Sequence, residues 1–276
     1  MRPSIWRQLA TDRIALVGLV VWIGLVGLAV VAPLLPLPSY EDMNLDRPLT
    51  PPSTRHWLGT DSFGRDMLSR IVYGARVSVG VATVAVGVAV VLGTTAGLAV
   101  GYYRGVVDTV ISRFMDGVMS FPPVLLAIAL VGAIGPSARN VAIALAIVYV
   151  PRFTRVTRAS VLSVTELEYI QAAHAIGAGA LTILFGHVLR NIAGPIIVQG
   201  TASYAYAIIA EAGMSFLGLG TQPPMPSWGS MLADARRYLE TDAWYAAIPC
   251  VVLSTSVVSI TLVGDRLRHV LDPGQR

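Results

Sequence analysis

The stretch Val77-Ser-Val-Gly-Val-Ala-Thr-Val-Ala-Val-Gly-Val-Ala-Val-Val-Leu-Gly-Thr-Thr-Ala-Gly-Leu-Ala-Val-Gly101 runs for twenty-five residues without a charge. A helix rises 1.5 Å per residue, so about 20 apolar residues cross a hydrocarbon core of about 30 Å. The segment therefore reads as a membrane-spanning helix. Gly93, Gly97 and Gly101 recur at four-residue spacing, which lets the backbone of another helix approach closely.

Working outward, residues 14–35 form a comparable apolar run, preceded by Arg2, Arg7 and Arg13. Basic residues stay on the cytoplasmic side, which places the N-terminus there. A cleaved signal peptide is the competing reading, but its apolar core is normally shorter. A third span is expected over residues 117–135, with a kink or short break at Pro122-Pro123. The fourth is the weakest. Residues 140–151 are too short alone, and Arg152, Arg155 and Arg158 follow on one helical face. The expectation is a helix that leaves the bilayer there, with its arginines near the lipid headgroups. Residues 192–210 and 243–264 give the fifth and sixth spans. The expected fold is thus an all-α membrane protein with six transmembrane helices and cytoplasmic N- and C-termini. Twelve arginines then face inside and eight outside, and losing the fourth span would invert everything after it.

Between the first two spans, residues 36–74 are rich in proline and mixed charge and read as an extracytoplasmic arm. Asp61-Ser62 is expected to cap a short helix with Phe63, Met67, Ile71 and Val72 on one face and Arg65, Asp66, Ser69 and Arg70 on the other. Such a helix lies along the membrane surface or packs on the bundle. Trp228, Tyr238, Trp244 and Tyr245 are expected in an outer interfacial belt or against a docking protein. The chain divides into residues 1–75 (first helix and arm), 76–265 (the remaining spans) and 266–276 (a cytoplasmic tail).

Composition excludes several chemistries. The chain is 54% hydrophobic and 13% charged, and all 20 basic residues are arginine. Without lysine there is no Walker-type phosphate loop and no Schiff-base amine. Cys250 is alone, and His56, His174, His187 and His269 have no metal-ligand spacing. No catalytic residue, metal or cofactor is expected, and no run of like charges points to nucleic acid. The exclusions turn attention to contact surfaces.

One such surface is the hydrophilic stretch 165–191. Thr165 can cap a helix with Glu166 and Glu168 in its first turn. Ala172, Ala173 and Ala175 keep that helix slim, and Gly177 permits a turn. It reads either as a solvated connecting helix or as one that lies in a groove of another protein. Glu211, the one acid interrupting the fifth apolar stretch, lies either near a substrate path or close to the outer surface, satisfied by an arginine or by amides of the Gly-rich loop that follows.

Gln171-Ala172-Ala173, Gly177, Ile183 and Leu189 resemble the coupling loop of binding-protein-dependent ABC importer permeases. The segments His56-Trp-Leu-Gly-Thr-Asp-Ser-Phe-Gly-Arg-Asp66, Ser215-Phe-Leu-Gly-Leu-Gly220, Pro226-Ser-Trp-Gly229 and Gly264-Asp-Arg-Leu-Arg268, with Leu271-Asp-Pro273, resemble the C-type members of the dipeptide/oligopeptide/nickel permeases. The resemblance implies the ABC type-1 importer permease fold in a multi-pass bacterial inner-membrane protein. It implies a second permease subunit, two ATP-binding cassette subunits in the cytoplasm and an extracytoplasmic solute-binding protein as partners, in a lipid bilayer. It implies an ATPase-coupling role for Glu168, Gln171, Ala172, Ala173, Gly177, Ile183 and Leu189. Glu211, from the cost of its charge in an apolar stretch and not from the resemblance, is a candidate for the translocation path or outer gate. Two positions depart from the family pattern: Gln171 replaces a Glu and Arg190 a Pro. Peptide import is the expected activity. Nickel or metal-chelate import, a proton-coupled carrier relaying through Glu211, and a non-transporting scaffold are the rivals.

Overall fold

The computed structural model describes residues 12–271, and every regular element in them is helical. Helix α1 (Arg13–Val31) is capped by Asp12, whose carboxylate accepts from the amides of Ile14 and Ala15, and ends in a 3-10 turn, Ala32–Leu34. There follow α2 (Met67–Tyr103), α3 (Gly105–Met119), α4 (Pro123–Ile134), α5 (Ala138–Thr165), α6 (Glu168–Ala175), a π-helical stretch (Thr182–Val188) leading into α7 (Leu189–Phe216), α8 (Trp228–Ala235) and α9 (Ala243–Leu271). Arg2, Arg7, Asp272 and Pro273 lie outside the described residues.

Among the described residues, four helical stretches are long and apolar enough to cross a membrane: Arg13–Leu34, Met67–Tyr103, Thr182–Phe216 and Ala243–Leu271. The count is five if α3 and α4, bent by 88° at their break, make one span. The expected third span over 117–135 is therefore not one helix. Pro123 opens α4 as its first residue, where its missing N–H is harmless, and the chain turns sharply ahead of it. Helix α5 is 28 residues long but carries four arginines, which is why hydropathy recognises it poorly.

The glycine stripe does what its spacing implies. A Cβ on Gly93 would strike Phe153 and the Val150 carbonyl, on Gly97 the side chain of Thr157 and the Thr154 carbonyl, and on Gly101 the side chain of Val161. Helices α2 and α5 form the most extensive pairing in the molecule, with Phe153 fully buried between them.

The arm departs from expectation. No separate surface helix forms: α2 begins at Met67, and its N-cap is Asp66, which accepts from the Ser69 amide at 2.9 Å. The polar face is buried along with Met67, Ile71 and Val72 of the apolar one. Arg65, Asp66, Ser69 and Arg70 are all buried, whereas Phe63 is exposed. The cause is Asp61, a fully buried carboxylate whose Oδ1 accepts from the amides of Phe63 (2.8 Å) and Arg65 (2.9 Å). Its Oδ2 receives Arg65 Nε at 2.6 Å. Buried charge is tolerated when paired and hydrogen-bonded in this way, so the motif folds as a polar knot rather than an amphipathic helix.

Candidate functional site

Helix α6 sits on a short polar connection after α5. Thr165 does not cap it: Thr165 ends α5, and the N-cap position of α6 is Leu167, without a side-chain hydrogen bond. Glu166 lies before α6 and is paired with Arg104 at 2.7 Å, which ties this loop to the end of α2. Glu168 alone occupies the acidic first-turn position. Gln171 donates from Nε2 to the Glu166 carbonyl at 3.2 Å, so the amide that replaces the family's carboxylate braces its own loop.

The helix is held by one side. Ile170 is fully buried and Ala173 half-buried, while Gln171, Ala172, Ala175 and Gly177 are exposed. His174 stacks on Tyr102 at 5.8 Å between ring centres. Gly177, at φ +80°, closes the helix. Its amide donates to the His174 carbonyl and that of Ala178 to the Ala173 carbonyl, both at 3.0 Å, the two bonds of a Schellman stop. Just before it, at the helix C-cap, Ile176 is 85% exposed, an apolar tip beside a helix face almost bare of side chain. Ile183 is buried beneath and Leu189 half-buried at the start of α7. Arg190 is exposed, and the π-helical stretch carries the chain into α7 without the proline expected there.

At the opposite end of α7, Glu211 is 1% exposed. The hydrogen-bond partner of its Oε1 is neither an arginine nor a loop amide. Ser215, one turn on, donates its hydroxyl to Glu211 Oε1 at 2.7 Å and accepts the Thr221 amide at 3.2 Å. The carboxylate thus fixes the Gly-rich loop through a serine relay. That loop leaves α7 by a second Schellman stop at Gly218 (φ +80°), with Leu219 N donating to the Met214 carbonyl at 2.9 Å.

The Pro226-Ser-Trp-Gly229 motif docks α8 into the bundle. Ser227 makes a reciprocal capping box with Ser230. Trp228 is fully buried and donates its indole N–H to the Ile71 carbonyl at 3.1 Å. A Cβ on Gly229 would collide with the backbone of Ala212 on α7. Trp228 and Tyr245, 1% exposed, are thus core residues and not members of an interfacial belt; tight polar docking overrides the aromatic-belt expectation. Trp244 and Tyr238 are half-buried, Trp244 covering Gly59 of the arm.

The arginines of α5 are not simply headgroup contacts. Arg158 makes a two-pronged pair with Asp108 (2.7 and 2.6 Å), and Arg155 pairs with Asp116 at 2.8 Å, both acids on α3. Sequence reading missed these partners because α3 lies in a connection whose helical extent only the fold reveals.

Comparison with known proteins places this arrangement. A family profile described as "Binding-protein-dependent transport system inner membrane component" matches residues 64–276, and one described as "N-terminal TM domain of oligopeptide transport permease C" matches residues 4–52. The dipeptide transport system permease protein DppC of Alkalihalophilus pseudofirmus is 45% identical over 268 residues, covering 97% of this chain and 88% of that protein. The di/tripeptide transport system permease protein DppC of Pseudomonas aeruginosa is 40% identical, with 97% and 90% covered. The glutathione transport system permease protein GsiD of Pectobacterium atrosepticum is 39% identical, with 97% and 89% covered. With family-level similarity over nearly its whole length, the chain belongs to the inner membrane components of binding-protein-dependent transport systems.

Proposed function

We propose that this protein is one membrane subunit of an ATP-driven importer of small peptides, working beside a second permease subunit, two ATP-binding cassette subunits and an extracytoplasmic solute-binding protein. The similarity to dipeptide, di/tripeptide and glutathione permeases over 97% of the chain supports the solute class. The mechanism is alternating access: closure of the ATPases moves α6, and the helices to which it is tied re-orient the path. The carrying observation is the build of α6. Ile170 and the Arg104–Glu166 pair fasten it to the bundle. Its exposed Ala172, Ala175 and Gly177 leave a flat face for a partner groove. Coupling between distant sites needs a shared element that both bias, and α6 has that form.

Six membrane crossings with both ends cytoplasmic fit this role, as does the division into residues 1–75, 76–265 and 266–276. Asp12 Oδ2, ahead of α1, lies 3.6 Å from Arg266 Nε, near the end of α9. Two chain ends on one side require an even number of crossings, and adding α5 to the five apolar candidates makes six.

Cysteine crosslinking tests the coupling role. In a Cys250→Ser background, since Cys250 is exposed, Ala172→Cys is expected to crosslink to an ATPase subunit with a yield that changes between nucleotide-free and ATP-bound states. Finding only lipid or water beside position 172 in every nucleotide state would contradict the assignment.

A further inference from the structure

Charged side chains inside a bilayer are rare, and those present mark a path or face a partner. Helix α5 has three arginines in successive turns, Arg152, Arg155 and Arg158, and they are not equivalent. Arg155 and Arg158 are neutralised by Asp116 and Asp108. Arg152 is not: among the described residues its charge meets only ring faces, Tyr149 at 5.6 Å and Tyr206 at 6.0 Å. Counted from Ala138, Arg152 lies about 21 Å along α5, beyond the reach of headgroups at the Ala138 end of a core of about 30 Å.

The three side chains of Arg152, Tyr149 and Tyr206 line a half-open cavity of about 350 Å³ between α4, α5 and α7, lined also by Pro123, Val124 and Gly213 among others. Tyr149 is buried, Tyr206 is exposed, and Arg152 is half-buried. The site is therefore a partly apolar recess with two tyrosines in its lining and one guanidinium that meets no acid among the described residues. Glu211 does not line it.

A guanidinium prefers a carboxylate, which it binds with paired N–H donors. Resting on the functional reading above, we propose that Arg152, Tyr149 and Tyr206 form an anion-binding station in the translocation path that takes the terminal carboxylate of the transported peptide. The tyrosine faces hold the cation inside the membrane while the path is empty, and the peptide supplies the missing charge as it passes.

The test uses the complete transporter in proteoliposomes with its binding protein, and a labelled tripeptide offered either as the free acid or as the C-terminal amide. Arg152→Gln is expected to lower free-acid uptake roughly 10–100-fold, the effect of losing a charged hydrogen bond, while amide uptake stays at its original level. Arg152→Lys keeps the charge and is expected to retain most free-acid uptake. An equal fall for both peptides, or no fall for either, overturns the proposal. Loss of subunit assembly in Arg152→Gln also overturns it, since Arg152 would then be neutralised by an acid of the second permease subunit. If the unsubstituted complex shows no ATP-dependent peptide uptake, the functional reading itself fails and this inference with it.

Discussion

Arg70, in the first turn of α2, holds its Nε 3.2 Å from Oδ2 of Asp61, and both side chains are buried. With Arg65 on the same oxygen, one carboxylate is shared by two guanidinium groups and binds the arm to the bundle. Asp61→Ala would leave both arginines buried without their acid. The expected loss is about 3–5 kcal/mol of stability, seen as a large drop in thermal midpoint of the detergent-solubilised protein.

The α2–α5 seam gives a second prediction. Gly97→Leu forces side-chain atoms against the Thr154 carbonyl and Thr157, with an expected loss of about 1–3 kcal/mol or more from overpacking. Gly80, on the same helix, has open space where a Cβ would stand. Gly80→Ala should be neutral or stabilising by up to about 1 kcal/mol. Paired thermal melts of the two variants check the contrast.

Asp234 on α8 supplies a pH dependence. Burial pushes its carboxyl above the ordinary 3.8, against the pull of Arg70 and Arg65. A carboxyl raised in the folded state binds its proton more tightly there than in the unfolded chain. Its contribution is present below the unfolded value and is lost as pH rises through the folded one. Asp234→Asn removes this term, so its stability relative to the original protein should rise as pH increases from about 4. A difference independent of pH in melts across that range would contradict the assignment.

How much of this was legible in the sequence depended on the kind of physics involved. Long uncharged runs gave α1, α2, α7 and α9, because hydropathy is a local property. The Gly93, Gly97 and Gly101 spacing gave the close helix contact, though not its partner. Gly177 gave the helix stop from its conformational freedom alone. What local reading missed was long-range pairing. Arg65 and Arg70 look like a solvated face until Asp61 is folded beneath them, and Trp228 looks interfacial until Ile71 accepts its indole N–H. Arg152 looked like its neighbours Arg155 and Arg158 because the acids that distinguish them are on α3. Gln171 and Arg190 were departures whose consequences needed the neighbouring backbone: the first braces Glu166, and the second stands exposed where a π-helical stretch already sets the path of the chain.

Glu211 makes a further prediction. Its carboxylate is tied to Ser215 and through it to Thr221, a role a neutral amide can fill. Glu211→Gln is expected to keep both the fold and ATP-driven uptake. Abolished uptake in a well-folded Glu211→Gln variant, with partner ATPase activity intact, would return this residue to the transport path.

The most direct measurement is uptake of a labelled dipeptide into proteoliposomes containing this chain, the second permease subunit and the ATPase pair, with the binding protein supplied outside. Uptake is expected only with ATP, and it should vanish when the phosphate-loop lysines of the ATPases are replaced. Uptake that survives that replacement would identify a secondary carrier, and no flux with every partner present would identify a scaffold; either result contradicts an ATP-driven importer energised through α6.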